Sequence, residues 1–119
     1  MIERISWVAL ALIHALPALA LFNPTLISRL YGVGPGDGTF LLLQHRAALF
    51  LCVLILCIWA AVDPAVRRAA SAVVAVSMLS FLLLWQGAGR PAALNSIAVA
   101  DLVGLLPLSL VIVRAWSAA

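Results

Sequence analysis

The stretch Leu41-Leu42-Leu43-Gln44-His45-Arg46-Ala47-Ala48-Leu49-Phe50 sets three polar side chains inside a run that is otherwise fit only for lipid. From Thr39 to Val62 the residues are nearly all apolar, enough to cross a hydrocarbon core that takes about 20 helical residues. Arg46 therefore starts inside the membrane. A charge there costs roughly 2.5–3.5 kcal/mol on insertion scales, so it faces a bundle interior, a polar cavity or a partner.

The rest of the composition agrees. The chain has 119 residues, 66% of them hydrophobic and 9% charged, with a mean hydropathy of +1.23, whereas soluble domains carry about 25% charged residues. The fold class read from this is all-α, an integral membrane antiparallel four-helix bundle forming one transmembrane domain over residues 1–119. The net charge of +3 comes from seven Arg and no Lys. Apart from Arg67-Arg68 they are scattered singly and form no basic stripe, which excludes nucleic acid as a partner. Cys52 and Cys57 lie five residues apart on different helix faces, so neither a mutual disulfide nor a CxxC redox or metal spacing is present. They read as small buried hydrophobes.

Four spans follow from the apolar runs: 5–22, 39–62, 69–86 and 92–116. The first, with Glu3-Arg4 before it and Ala18-Leu19-Ala20 near its end, also has the make-up of a cleavable signal peptide. His14 interrupts its apolar run, and its loss leaves only three spans. Asn23-Pro24 stops the helix, and residues 25–31 form a short interfacial helix with Tyr31 at headgroup level. Gly32-Val33-Gly34-Pro35-Gly36-Asp37-Gly38 lacks the Lys-Ser/Thr ending and preceding strand of a phosphate loop, so it reads as a flexible turn. Asp63-Pro64 ends the second span and opens the third. Ser71, Ser77 and Ser80 among alanines give the third span a small-residue packing texture, and Pro107 predicts a kink in the fourth.

Arg4, Arg67, Arg68 and Arg114 collect on one side of the membrane, Arg29 and Arg90 on the other. The positive-inside rule then places both termini in the cytoplasm. The all-Arg, alanine-rich composition fits a bacterial inner (plasma) membrane. Trp7, Trp59 and Trp116 fall near the cytoplasmic interface, and Trp85, Tyr31 and Phe40 near the other.

Depth follows from a rise of 1.5 Å per residue. His14 and Asp101 each lie about 13 Å into their spans and meet near the midplane, while His45 and Arg46 lie about 10 Å from the outer end. Asn95 is shallower. The candidate ligand-binding residues are therefore His14, Gln44, His45, Arg46, Asn95 and Asp101, a polar column in the outer half of the bundle. Arg46 and Asp101 form the natural ion pair, since each is costly alone in lipid. Two His, one deep Asp and two Cys do not make a convergent metal set, and no nucleophile elbow places a Ser beside a base. No cofactor motif is present, and no catalytic residue is assigned.

Leu30-Tyr31-Gly32, Gln44-His45-Arg46-Ala47, Ser77-Met78-Leu79-Ser80-Phe81 and Ala100-Asp101-Leu102-Val103, in that order, resemble the small DoxX-like four-helix membrane proteins over nearly the whole chain. The resemblance implies a compact bundle of four membrane helices in which His45, Arg46 and Asp101 recur. In part of that family it also implies an association with quinone-linked or thiol redox systems. Some similar proteins carry the name of a soluble adenylyltransferase of coenzyme A synthesis. This chain has neither that enzyme's His-x-Gly-His signature nor room for its α/β sheet.

Two functions are compatible with these residues. In the first, an amphiphile such as a quinone or lipid places its head against Arg46, His45, Asn95 and Asp101 and its tail between helices. In the second, the chain is a non-catalytic accessory subunit of a larger membrane complex, with Arg46 and Asp101 as a structural ion pair. Proton or ion translocation is disfavoured because the cytoplasmic half offers almost no polar groups except Ser71 and Ser77 and so no polar exit, and for four helices it calls for a homodimer.

Overall fold

The computed structural model describes residues 1–117, all of them in helices, turns and short connections. Five α-helices follow in chain order: α1 (Ile2–Leu19), α2 (Pro24–Tyr31), α3 (Gly38–Val62), α4 (Arg67–Gly87) and α5 (Asn95–Ser117). Single 3-10 turns, Pro64–Val66 and Ala92–Leu94, precede α4 and α5. Four segments are long and apolar enough to cross a membrane: Ile2–Leu19, Gly38–Val62, Pro64–Gly87 and Ala92–Ser117, with mean hydropathies from 1.4 to 2.3. Large apolar side chains such as Leu12, Leu41, Leu83 and Leu106 point outward. A lipid-facing surface of this kind is what a membrane bundle requires, and a soluble monomer rarely exposes it.

Side-chain caps mark the helix boundaries. Asn23 Oδ1 accepts from the Thr25 amide at 3.3 Å and Asp37 Oδ1 from the Thr39 amide at 2.9 Å. Asp63 Oδ1 accepts from the Ala65 amide at 2.9 Å, satisfying amides that a helix start leaves without partners. Gly32 ends α2 at φ +69°, a left-handed conformation that costs glycine little. The first span stops at Leu19, three residues short of the sequence expectation, two residues after Pro17. Proline removes an amide from the ladder, and the chain leaves through tight turns from Ala20 to Pro17 and from Leu21 to Ala18.

α1 packs most extensively against α3, and α4 against α5, while α1 also touches α5. One core, built on Trp7, Leu10, Cys57, Val74, Met78 and Val111, fills the end of the bundle holding the α3–α4 junction. At its edge Gly104 lets helices close in. A methyl group on it would stand 2.6 Å from Met78 Cε and 2.8 Å from Ile13 Cδ1. Trp7 is fully buried in this core, so it is a packing residue and not the interfacial anchor that its position suggested. Cys57 is buried and Cys52 exposed, both with free thiols.

Five arginine hydrogen bonds close this end. Arg67 Nε donates to the Ala60 carbonyl at 2.7 Å, its Nη2 to Ala61 at 3.3 Å and its Nη1 to Glu3 Oε2 at 3.2 Å. Arg4 Nε also reaches the Ala61 carbonyl, at 3.1 Å, and Arg68 Nε that of Ala115, at 3.0 Å. The final carbonyls of a helix lack amide partners and carry partial negative charge, so cationic donors there are favourable. Trp116 Nε1 adds a bond to Ser71 Oγ at 3.1 Å.

The opposite, glycine-rich end is looser. A second core of Ala20, Ile27, Phe40 and Ala47 holds α2 back against α3. α3 and α4 share little contact beyond their junction. Where they part, a cleft opens between them.

Candidate functional site

Arg46 lies about two turns into α3 from the glycine-rich end, on the wall of that cleft. Its guanidinium is held by rings from three helices. The carbon of the group stands 5.6 Å from the Tyr31 ring centroid, 4.8 Å from Phe50 and 5.3 Å from Phe81. Contacts of this geometry attract a cation by about 0.5–2 kcal/mol each, more when desolvated, which offsets much of the cost of placing the charge in lipid. Phe50 is one helical turn beyond Arg46, Phe81 comes from α4 and Tyr31 from α2. The amphipathic α2, with Ile27 fully buried, folds back onto α3 and so delivers the phenol.

Arg46 Nη1 donates to the Tyr31 hydroxyl at 3.2 Å. This is its one hydrogen bond among the described residues, and a guanidinium has five N–H donors. Tyr31 lies outside the membrane-spanning helices; burial raises its pKa above the ordinary 10.0, and the Arg46 charge opposes that rise in part. At neutral pH the phenol is intact and keeps its own proton for a further hydrogen bond.

The cleft holds about 490 Å³. Arg46, Leu49, Phe50 and Val53 form one wall, and Ser77, Ser80, Phe81 and Leu84 the other. Trp85 and Pro91 cover its outer rim. Leu49 and Leu84, both exposed, make its mouth face the lipid side. Ser80 Oγ donates to the Ser77 carbonyl at 3.3 Å. The rim is braced by Trp85 Nε1 donating to the Pro91 carbonyl at 3.3 Å and by Arg90 stacked 5.8 Å from the Trp85 ring. Arg90 also donates to Gln86 Oε1 at 3.1 Å and sits at φ +56°, a backbone conformation uncommon outside glycine.

A second cavity of about 240 Å³ lies on the far side of Phe50, whose ring lines both. It is bounded by α1 (Leu12, His14, Leu16, Pro17), Leu30 of α2, and α5 (Ser96, Ile97, Asp101). His14 is 1% exposed and Asp101 9%. The ring nitrogen Nδ1 of His14 is 2.8 Å from the Leu10 carbonyl. That oxygen can only accept, so Nδ1 carries a proton, and among the described residues the buried Nε2 has no partner.

The predicted column is thus divided. His14 and Asp101 share one cavity, and Arg46 occupies the other. Arg46 and Asp101 do not form the expected ion pair: among the described residues the one ion pair is Arg67 with Glu3. Aromatic faces meet the Arg46 charge instead. His45 and Asn95 are exposed on the outside of the bundle and belong to neither cavity; one residue of α3 turns the side chain by about 100°, so His45 and Arg46 cannot share a face. Gln44 is half-buried and lines neither. Among the described residues no three His, Cys, Asp or Glu side chains converge on a metal position. Tyr31, Phe50, Phe81 and Trp85 were not foreseen as site residues. Only Phe50, four positions from Arg46, carried a local signal.

No family model, curated protein or solved structure matches this chain.

Proposed function

We propose that this small multi-pass membrane protein binds an amphiphile in the cleft between α3 and α4. Its head is an acceptor, a quinone carbonyl or a lipid phosphate, that takes hydrogen bonds from Arg46 and the Tyr31 hydroxyl. The carrying observation is a guanidinium with one hydrogen bond in an apolar cleft of about 490 Å³. Arg is suited to bidentate recognition of such oxygens. Phe81, Leu84 and Trp85 then flank the tail. The same proposal includes kinship with DoxX-like proteins, on the motifs around Tyr31, Arg46, Phe81 and Asp101. It also includes a plasma-membrane location with both termini cytoplasmic, supported by the arginine-rich end, which puts the cleft in the outer leaflet half.

The test is mass spectrometry of protein purified in mild detergent, comparing wild type with Arg46→Ala. A defined lipid or quinone held by the first and absent from the second supports the reading. An identical lipid complement in both rejects it.

A second reading has its own observation. His45 and Asn95 are exposed on the lipid-facing surface, where an unpartnered polar side chain is unfavourable. In that reading they dock a larger membrane protein, for which this chain is a non-catalytic accessory subunit. A stoichiometric protein that co-purifies with wild type and is lost with His45→Leu supports it.

A further inference from the structure

The cavity beyond Phe50 has the opposite polarity from the cleft. Its two deep polar groups, His14 and Asp101, are at least nine-tenths buried. With Nδ1–H committed to the Leu10 carbonyl, a neutral His14 ring offers Nε2 as an acceptor only, and none of the described residues meets it. Among the described residues the Asp101 carboxylate has no ion-pair partner, and an ionised carboxylate is acceptor-only as well. The two lie on facing helices, α1 and α5, and both line the same space of about 240 Å³. Buried polar groups are normally paired, and buried charges are paired with counter-charges.

We propose that this cavity is a binding site for a primary ammonium group on an apolar tail. One N–H of the ammonium meets His14 Nε2, another meets the Asp101 carboxylate, and its charge balances that of Asp101. Entry is from the lipid side, because Leu12 and Leu16 at the cavity edge are exposed, Leu12 by 70% and Leu16 by 50%. A quaternary ammonium lacks the N–H donors that both acceptors need, and an alcohol lacks the charge. The site is distinct from the Arg46 cleft on the other side of Phe50, which offers donors and takes acceptors. Two sources supply this chemistry: an aminophospholipid of the bilayer, or a free lipophilic amine.

The experiment uses the full chain in phosphatidylcholine nanodiscs, loaded with dodecylamine, dodecyltrimethylammonium or dodecanol, and counts molecules retained on protein ejected from the disc in native mass spectrometry. The expected result is at least tenfold greater retention of dodecylamine than of either control. Loss of that preference is expected in Asp101→Asn and in Leu16→Trp, which blocks the mouth from an exposed position. Arg46→Met is expected to keep it, which separates this site from the cleft. Phosphatidylethanolamine added to the disc displaces dodecylamine if the natural occupant is a lipid and leaves it bound if the occupant is a free amine. Equal retention of the three probes by wild type, or a preference unchanged by Leu16→Trp, overturns the proposal.

Discussion

Arg67 and Arg46 sit toward opposite ends of one bundle and use their donors differently. Arg67 directs Nε and both terminal nitrogens at fixed acceptors, two carbonyls that end α3 and the carboxylate of Glu3. Arg46 makes one hydrogen bond and otherwise rests against three aromatic rings. Rings stabilise a charge without taking up its N–H groups. The first arginine holds helices together, and the second is held in place with its chemistry still available. The two arrangements do different things: caps satisfy helix ends that are costly to leave bare in lipid, while donors left unused remain open to an acceptor.

The largest expected effect is at the closed end. Arg67→Ala removes two carbonyl caps and the Glu3 pair together, and lowers unfolding free energy by about 2–4 kcal/mol, measured by denaturant titration in micelles. Next is the boundary between the two ends. Gly104→Leu forces α4 and α1 away from α5, at about 1–3 kcal/mol for overpacking. Gly104→Ala meets only the flexible tips of Met78 and Ile13, and costs under about 1 kcal/mol in the same titration. Phe50→Ala joins the cleft and the second cavity, so a ligand in one shifts retention in the other. Unchanged, independent retention in that variant would remove the ring as their divider.

Arg46→Met has a smaller effect on stability. The loss of three cation–π contacts at about 0.5–2 kcal/mol each is set against relief of a charge costing about 2.5–3.5 kcal/mol in lipid. Near mid-range the two nearly cancel, so unfolding is expected to shift by about 1 kcal/mol, while acceptor-headed ligands are lost. A large destabilisation would make Arg46 a second Arg67. The smallest effect is spectroscopic. Tyr31 is the chain's one tyrosine, so phenolate absorbance reports it alone. Burial raises its pKa in the folded protein above 10.0, so its contribution to stability is intact below about pH 10 and is lost as pH rises through the folded value. A titration midpoint at or below 10.0 would remove Tyr31 from the interior of the site.

Much of the architecture was legible because it depends on local rules. The apolar runs around Arg46 and Asp101 demand spanning helices whatever their neighbours, and Asp63-Pro64 and Asn23-Pro24 act on their own backbones. The helical repeat also separated Cys52 from Cys57. The site was legible only in part. Residue depth was enough to set His14 and Asp101 at one level. It could not say which way a side chain faces, and so grouped His45 with Arg46 although adjacent helical positions point apart. It also weighed charge against charge and proposed an Arg46–Asp101 pair, because aromatic partners distant in sequence leave no trace near Arg46.

By itself, then, the sequence determined that four helices cross a membrane and that Arg46, His14 and Asp101 lie within them, since lipid leaves a run of apolar residues no other stable form. Only the tertiary structure decided which polar groups share a space. Tyr31 reaches Arg46 because α2 folds back on α3, and Phe50 parts the donor-lined cleft from the acceptor-lined cavity because the packing of α1, α3 and α5 places its ring there. Those are consequences of helix rotation and splay, which depend on how facing side chains interlock rather than on any one helix's composition.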